Sequence, residues 1–155
     1  MNTDFKRICA PTDFSEMGDR AVEYGAALAR KYGAELHIVH VIQDVAEKLR
    51  HPEFASTDTS VHEFLGKLEK GASEYLAKLA AEKPWHGLDI KRSQLFGSPV
   101  EEICRYAQQN EIDLLVLGTH GRTGLQHLFV GSVAERVVRA APCPVLTIRE
   151  PRPAA

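Results

Sequence analysis

A glycine-rich stretch between an apolar run and a helical segment restricts this chain more than any other feature. It extends from Gly118 to Ser132, after the apolar run Ile112–Leu117 and before the segment Val133–Arg139. A short apolar run bounded by glycine is typical of a buried strand. Glycines let the backbone approach an anion closely, and the first N–H groups of a helix have no partner within it. The stretch therefore predicts a site for a phosphorylated ligand.

The spacing of these glycines excludes the two common phosphate-binding loops. No lysine follows them as a P-loop requires, and two residues separate Gly118 from Gly121 where the dinucleotide-binding motif has one. The pattern Gly118-x2-Gly121-x9-Gly131-Ser132 resembles the nucleotide-binding motif of the universal stress protein family, in its ATP-binding branch. The segments Ile8–Ser15 and Ala141–Ile148 resemble the first and last strands of that family. The resemblance covers nearly the whole chain.

Composition limits the class of protein. A length of 155 residues suits one domain with a sizeable core. The formal net charge of −2 argues against a nucleic-acid-binding surface, which is usually strongly basic. No apolar run approaches the roughly 18 residues needed to span a bilayer, and the first residues lack a signal-peptide pattern. The three cysteines form no Cys-x-x-Cys pair, as expected of buried thiols in a reducing compartment. We therefore expect a cytoplasmic protein that binds neither nucleic acid nor membrane.

Periodicity predicts alternating strands and helices. Apolar residues recur at three- and four-residue steps from Glu16 to Tyr32, which predicts an amphipathic helix that Gly33 ends. Ser60-Val-His-Glu63 fits a capping box, which predicts a helix that begins near Ser60 and ends before Pro84. The other predicted elements are strands at 5–13, Glu35–Ile42, Leu88–Leu95, Ile112–Leu117 and Val145–Ile148, and helices from Ser98 to about Gln109 and from Ser132 to about Ala140.

The order β-α-β-α-β-α-β-α-β implies a parallel sheet with helices on both faces, joined by right-handed crossovers. The resemblance implies a three-layer α/β/α, Rossmann-like fold of the adenine nucleotide α-hydrolase-like type, with five parallel strands in the order 3-2-1-4-5. We expect one universal stress protein domain over residues 1–155, with an ordered core at about 5–149. Residues 43–59 are predicted as an irregular loop and 150–155 as a frayed tail.

In such a sheet, a ligand binds beyond the carboxyl ends of the strands, where the strand order reverses. The implied order puts this reversal between the first and fourth strands. These strands lead into the turns Pro11–Asp13 and Gly118–Thr119. The two turns are therefore expected to meet at one binding site.

The phosphate groups are assigned to the glycine-rich stretch. Gly121 and Gly131 would supply close backbone N–H groups, and Ser132 its hydroxyl together with the helix N-terminus, where Val133 follows. Ser132 also fits a plain helix cap, because it opens a capping box. Arg122 either folds over a polyphosphate or lies in solvent.

The sugar and the base are assigned to the turn after the first strand. Asp13 is the expected sugar contact, since a carboxylate at the end of a parallel strand can accept hydrogen bonds from ribose hydroxyls. Its alternative role is the N-cap of the helix that follows. Ala10, Pro11 and Thr12 would line the base pocket by their shape and backbone.

Three further positions follow from the resemblance alone. It implies that the backbone at Val41 reads the adenine edge, and that Gly118 and Thr119 lie close to the ribose or phosphate. It also implies that the ligand is ATP or another adenine nucleotide, with Mg²⁺ or Mn²⁺ brought mainly by the phosphates. We expect no metal site built from the protein alone, because His37 and His40 do not share a strand face and the other histidines are scattered.

The loop residues offer no nucleophile–base–acid arrangement, so we assign no catalytic residue. A phosphoryl-transfer enzyme would need a lysine, a metal-binding carboxylate and a group that positions water, and Asp13 alone could contribute. The favoured hypothesis is a regulatory protein of the stress response that turns ATP over slowly or not at all. The alternatives are a weak ATPase or other nucleotide-dependent enzyme, and an interaction module whose glycine-rich loop is empty.

The last predicted strand suggests a partner. Val145–Ile148 would lie at the edge of the sheet, where unpaired N–H and C=O groups invite pairing with another chain. Pro142 and Pro144 limit that pairing at one end. The resemblance implies a homodimer formed through this strand across a two-fold axis.

Overall fold

The computed structural model describes residues 4–43, 58–81, 85–119 and 132–149. Within these ranges, strands and helices alternate along the chain. They are β1 (Arg7–Pro11), α1 (Glu16–Tyr32), β2 (Glu35–Gln43), α2 (Asp58–Ala80), β3 (Ile90–Gly97), α3 (Pro99–Gln109), β4 (Leu114–Gly118), α4 (Ser132–Ala140) and β5 (Val145–Ile148). No helix in these ranges combines the length and the apolar character needed to cross a membrane.

The strands form one parallel sheet in the order β3-β2-β1-β4-β5. Cys9 of β1 lies beside His37 of β2 on one side and beside Leu115 of β4 on the other. Starting from β1, the strands β2 and β3 therefore extend the sheet toward one edge, and β4 and β5 extend it toward the other edge. This confirms the predicted three-layer α/β/α fold and the order 3-2-1-4-5, with the reversal between β1 and β4.

Each face of the sheet is covered by its own pair of helices. Successive residues of a strand point to opposite faces, and in β1 Ile8 and Ala10 belong to one core cluster while Cys9 belongs to the other. The first cluster includes buried side chains of α1 and α2, and the second includes buried side chains of α3 and α4. The three layers are therefore α1 with α2, the sheet, and α3 with α4.

The helix α1 begins and ends where the sequence predicts. Ser15 is its N-cap, and the hydroxyl of Ser15 accepts a hydrogen bond from the N–H of Gly18 (3.1 Å). Gly33 ends the helix with φ of 64°, in the left-handed region that glycine adopts without steric cost. The two caps hold α1 in place directly after β1 and directly before β2.

The helix α2 begins two residues before the predicted start near Ser60, and the capping role predicted for Ser60 is wrong. The helix already includes Asp58 and Thr59, so Ser60 does not open it. Asp58 and Thr59 are residue types that favour helix starts, and the capping-box pattern therefore found the first turn but not its first residue. The irregular loop is also shorter than 43–59 at both ends, because Gln43 belongs to β2. Residues 44–57 and the predicted tail at 150–155 lie outside the described residues.

Two strands begin two residues later than predicted. β3 starts at Ile90 rather than Leu88, because Leu88 closes a turn by donating its N–H to the carbonyl of Trp85 (3.1 Å). β4 starts at Leu114 and continues to Gly118. β1 is shorter than the predicted 5–13, since Pro11 is its last residue. The helices predicted from Ser98 to about Gln109 and from Ser132 to about Ala140 are confirmed.

Candidate functional site

The turn after β1 is buried and attached to β2. Ala10 and Pro11 are buried, and Thr12 is only 5% exposed. The N–H of Thr12 donates to the carbonyl of Val39 (2.8 Å), and the carbonyl of Thr12 lies 2.9 Å from Nδ1 of His40. The turn therefore keeps a fixed backbone path beyond the last residue of β1.

The carboxylate of Asp13 supports the start of α1. Its Oδ1 accepts hydrogen bonds from the backbone N–H of Ser15 (3.1 Å) and from the Ser15 hydroxyl. Ser15 is the N-cap of α1. The N-cap role that was the predicted alternative for Asp13 is therefore taken by Ser15. Asp13 is half-buried at the carboxyl end of β1, which is the position expected for a sugar contact.

A second carboxylate, that of Asp19, faces the same turn from α1. Its Oδ1 accepts a hydrogen bond from the hydroxyl of Thr12 (3.2 Å), and its Oδ2 accepts one from the hydroxyl of Tyr75 in α2. The Thr12 hydroxyl in turn accepts a hydrogen bond from the N–H of Phe14 (3.0 Å). The turn is thus connected to two helices through side chains.

Phe14 has an unusual backbone conformation for an aromatic residue. Its φ is 65°, in the left-handed region that L-residues with a bulky side chain rarely adopt. The Phe14 ring stacks on His40, with centroids 3.9 Å apart and planes at 17°, and lies 4.3 Å from the Tyr75 ring. These ring contacts hold the residue that follows Asp13 in a strained conformation.

The carboxyl end of β4 lies against the first turn of α1. A Cβ built on Gly118 would come within 2.8 Å of the carbonyl oxygen of Met17, so only glycine fits there. Thr119 is 1% exposed, and its N–H donates to the carbonyl of Ile148 in β5 (2.9 Å). The structure therefore gives Gly118 a packing role between β4 and α1.

Gly18 brings the two turn side chains close to α1. A Cβ at Gly18 would lie 2.8 Å from both the Oδ1 atom of Asp13 and the Oγ1 atom of Thr12. The absence of a side chain at Gly18 thus lets Thr12 and Asp13 approach the helix. The reversal between β1 and β4 is consequently a place where Thr12, Asp13 and Gly118 all surround the start of α1.

The remaining predicted contacts are described only in part. Val41 and Val133 are half-buried, and both pack against the core cluster on the α3 and α4 face. Ser132 is the first residue of α4, and its side chain lies outside the described part of the structure. Gly121, Arg122 and Gly131 also lie outside the described residues.

The chemistry of the described part suits a ligand that carries hydrogen-bond donors. Asp13 and Asp19 place two carboxylates beside a backbone turn, and ionised carboxylates only accept hydrogen bonds. A sugar hydroxyl supplies such donors. The residues in the described ranges contain no group of three or more histidine, cysteine, aspartate or glutamate side chains arranged to hold a metal ion.

A family model with the description Universal stress protein family matches residues 4–149. The chain belongs to this family. The universal stress protein MJ0531 of Methanocaldococcus jannaschii is 35% identical over 148 residues, which cover 96% of this chain and 84% of that protein. The universal stress protein MJ0577 of the same organism is 30% identical over 158 residues, which cover 96% of this chain and 98% of that protein.

Solved structures of the family share the fold. The structure of MJ0577 matches with a TM-score of 0.81 and 29% identity, over 97% of this chain and 99% of that one. A universal stress protein solved in complex with cAMP matches with a TM-score of 0.65 and 22% identity, over 95% and 98% of the two chains. One from Archaeoglobus fulgidus in complex with dAMP has a TM-score of 0.62 and 20% identity, over 94% and 98%.

Sequence reasoning missed Phe14, Asp19 and Tyr75. Asp19 is one of several acidic residues in the chain, and Tyr75 belongs to an apolar helical stripe that predicts only burial. Their contacts join segments 56 residues apart, so no local pattern reports them. A signal existed only for Phe14, which directly follows the turn Pro11–Asp13.

Proposed function

We propose that this universal stress protein binds an adenine nucleotide, ATP in the first instance, at the carboxyl ends of β1 and β4. The observation that carries the proposal is that the turn Pro11–Asp13 and Gly118 both lie against the start of α1, at the reversal of the strand order. Open parallel sheets bind ligands at this position. Half-buried Asp13 provides the acceptor that ribose hydroxyls need.

In this proposal the nucleotide extends from the turn after β1 towards α4. Ala10, Pro11 and Thr12 line the base, and the backbone at Val41 reads its edge. Asp13 binds the ribose, with Gly118 and Thr119 close by. The phosphates, with Mg²⁺ or Mn²⁺, are bound by the remaining assigned residues, which are Gly121, Arg122, Gly131, Ser132 and Val133.

The ligand class is supported by relatives of the same fold. Two distant family members were solved with cAMP and with dAMP, and both ligands are adenine nucleotides. The unpaired N–H groups at the start of a helix such as α4 favour a phosphate group, because they point at the anion and carry partial positive charge.

We further infer a regulatory role in the stress response, in the cytoplasm, with ATP turned over slowly or not at all. Phosphoryl transfer is expected to use a lysine at the phosphates, and no lysine follows the glycines of the stretch Gly118–Ser132. A homodimer would form through Val145–Ile148, since β5 is the last strand of the sheet and Leu146 is 38% exposed.

Isothermal titration calorimetry with ATP and Mg²⁺ tests the proposal on wild type, Asp13→Ala and Asp113→Ala. The last variant is a matched control, because Asp113 also accepts backbone N–H bonds at an end of β1, from Lys6 and Arg7 (2.8 Å each). We expect a micromolar Kd for wild type. Because a hydrogen bond to a charged group contributes about 1.5–3 kcal/mol, Asp13→Ala should bind at least roughly tenfold more weakly. Asp113→Ala should bind as wild type does.

Three results would change this conclusion. If wild type shows neither heat nor a thermal shift with any adenine nucleotide, the protein acts as an interaction module. Steady release of phosphate that Asp13→Ala abolishes would make it an ATPase. Equal loss of affinity in both aspartate variants would mean that general destabilisation, and not the site, governs binding.

A further inference from the structure

Hydrogen bonds connect α2 to the turn that carries Asp13. The hydroxyl of Tyr75 donates to the carboxylate of Asp19, whose other oxygen accepts the Thr12 hydroxyl (3.2 Å). The same Thr12 hydroxyl accepts the N–H of Phe14 (3.0 Å). The path therefore leads from a side chain of α2 to the backbone directly after Asp13.

Ring contacts reinforce this path. The Tyr75 ring lies 4.3 Å from the ring of Phe14, and Phe14 also stacks on His40 at 3.9 Å. Phe14 has φ of 65°, and a strained backbone of this kind persists only where its surroundings fix it. Tyr75 thus contacts the turn directly through its ring and indirectly through its hydroxyl, by way of Asp19 in α1.

The hydroxyl of Tyr75 stays protonated and donating at neutral pH. Its hydrogen bond to Asp19 is the main cause that raises the pKa of Tyr75 to about 12, followed by burial and by the negative charges of Asp19 and Asp13. The contribution of Asp13 means that Tyr75 and the expected sugar contact lie within electrostatic reach of each other.

We propose that Tyr75 and Asp19 are positioning residues for the nucleotide, which fix the turn Thr12–Phe14 and thereby couple α2 to the occupancy of the site. The inference rests on the proposed function. Coupling between two parts of a protein is reciprocal in free energy. Removing a hydrogen bond between Tyr75, Asp19 and Thr12 should therefore weaken nucleotide binding. In return, nucleotide binding should change the surroundings of Tyr75.

The first test compares two tyrosine hydroxyls. Tyr75→Phe removes the hydroxyl and keeps the ring, and Tyr106→Phe does the same on the opposite face, where the hydroxyl of Tyr106 contacts His37 (2.9 Å) and Ser93 (3.1 Å). Both variants should unfold at a lower Tm. By calorimetry with ATP and Mg²⁺, only Tyr75→Phe should bind more weakly, by roughly tenfold. Asp19→Asn, which keeps one acceptor for Thr12, should give a smaller loss.

The second test observes the tyrosines of the wild-type sequence directly and uses the variants only to assign their resonances. The chain has four tyrosines, at 24, 32, 75 and 106, and 3-fluorotyrosine can replace them all. In fluorine NMR, ATP with Mg²⁺ should shift the resonance of Tyr75 and leave that of Tyr106 in place, with each resonance assigned from its phenylalanine variant. A purely structural role of Tyr75 would leave its resonance unchanged.

The outcomes separate this inference from the proposed function. If wild type binds ATP while Tyr75→Phe binds equally well, or while the Tyr75 resonance does not move, the inference is wrong and the proposed function stands. An equal loss of affinity in Tyr75→Phe and Tyr106→Phe would also overturn the inference. Absence of ATP binding by wild type would remove both.

Discussion

Tyr75 and Tyr106 lie on helices that cover opposite faces of the sheet, and each hydroxyl has polar partners. Tyr75 belongs to a turn cluster at the carboxyl end of β1, which consists of Thr12, Asp13, Ser15, Asp19 and Tyr75. Tyr106 belongs to a strand cluster below α3, which consists of Glu35, His37, Lys91, Ser93 and Tyr106. The residue types are similar, and the places in the fold are not.

The strand cluster is built from regular structure. His37, Ser93 and Tyr106 project from two strands and a helix, and Glu35 pairs with Lys91 at 2.6 Å. Its hydrogen bonds among the described residues connect β2, β3 and α3. A hydrogen-bonded polar cluster of this kind contributes to a unique arrangement of the core.

The turn cluster is built from a connection between elements. Thr12 and Asp13 belong to no strand or helix, and Phe14 beside them has a positive φ. Residues in strained conformations concentrate at functional sites, because the surrounding structure must hold them. The comparison indicates that the position at a strand's carboxyl end, more than the kind of residue, separates a candidate site from a structural cluster.

The largest expected effect is the loss of stability in Gly118→Ala, which disturbs the packing of β4 against the start of α1, beside the turn cluster. The new methyl group would lie 2.8 Å from the carbonyl oxygen of Met17 and 2.9 Å from its Cγ atom, so α1 or β4 must move. Overpacking of this kind typically costs about 1–3 kcal/mol, and we expect the upper end because a backbone atom is involved. Urea unfolding at neutral pH measures the loss.

Gly66→Ala is the matched control for this substitution. A Cβ at Gly66 in α2 meets nothing within 4 Å, so alanine should stabilise the helix by about 1 kcal/mol. The two variants should therefore change stability in opposite directions. A loss of stability in both would mean that the close approach of β4 and α1 is not the cause.

The second-largest expected effect is a loss of ATP affinity in Gly18→Ala that exceeds its loss of stability. Gly18→Ala places a methyl group 2.8 Å from Oδ1 of Asp13 and from Oγ1 of Thr12, and 3.2 Å from the backbone nitrogen of Asp13, so this part of the turn must shift. We expect ATP affinity to fall roughly tenfold, or about 1.4 kcal/mol. The free energy of unfolding should change by less than that, because alanine favours the helix.

Calorimetry beside urea unfolding of Gly18→Ala checks this separation. Unchanged affinity with reduced stability would contradict it, since the turn cluster would then be as structural as the strand cluster. Reduced affinity at nearly unchanged stability would sharpen the comparison, because it would tie the orientation of Thr12 and Asp13 to the ligand.

Local patterns were sufficient to predict most of the fold. The helix Glu16–Tyr32 followed from its apolar spacing and Gly33, and both signals lie within the segment they describe. The first residue of α2 was not predicted correctly, because residues 58–60 are all of types that favour the N-terminus of a helix. The sequence alone does not show which of them begins it. The strand order came from family resemblance, since periodicity does not say which strands are neighbours.

The candidate site was predictable only where it follows strand ends. Thr12 and Asp13 were predicted because turns after apolar runs mark the carboxyl edge of a parallel sheet, and Gly118 was predicted from the family resemblance. Asp19 and Tyr75 were missed because their roles depend on a contact between α1 and α2. Gly118 was assigned to the ligand, and its closest contact in the structure is Met17.

The smallest expected effect is a pH dependence specific to the strand cluster. His37 is 1% exposed, and burial lowers its pKa below the usual 6.5 although Glu35 lies 3.2 Å from Nε2. The carboxylate of Glu35 raises the pKa of His37 in return, but it offsets the effect of burial only in part. The folded state therefore favours neutral His37.

The sign of the pH effect follows from that preference. Since the unfolded chain takes up a proton on this histidine first, the stabilisation is complete above pH 6.5 and is lost as the pH falls through the folded value. The pKa of Glu35 is itself lowered from 4.5, chiefly by its hydrogen bond to Lys91, so its contribution is lost only below that value. Urea unfolding between about pH 7 and about pH 5 therefore reports on His37.

Over this window wild type should lose more stability than His37→Gln, while ATP affinity stays equal in the two proteins. Parallel stability curves would show that burial does not hold His37 neutral, and the strand cluster would then lose the feature that most distinguishes it from the turn cluster.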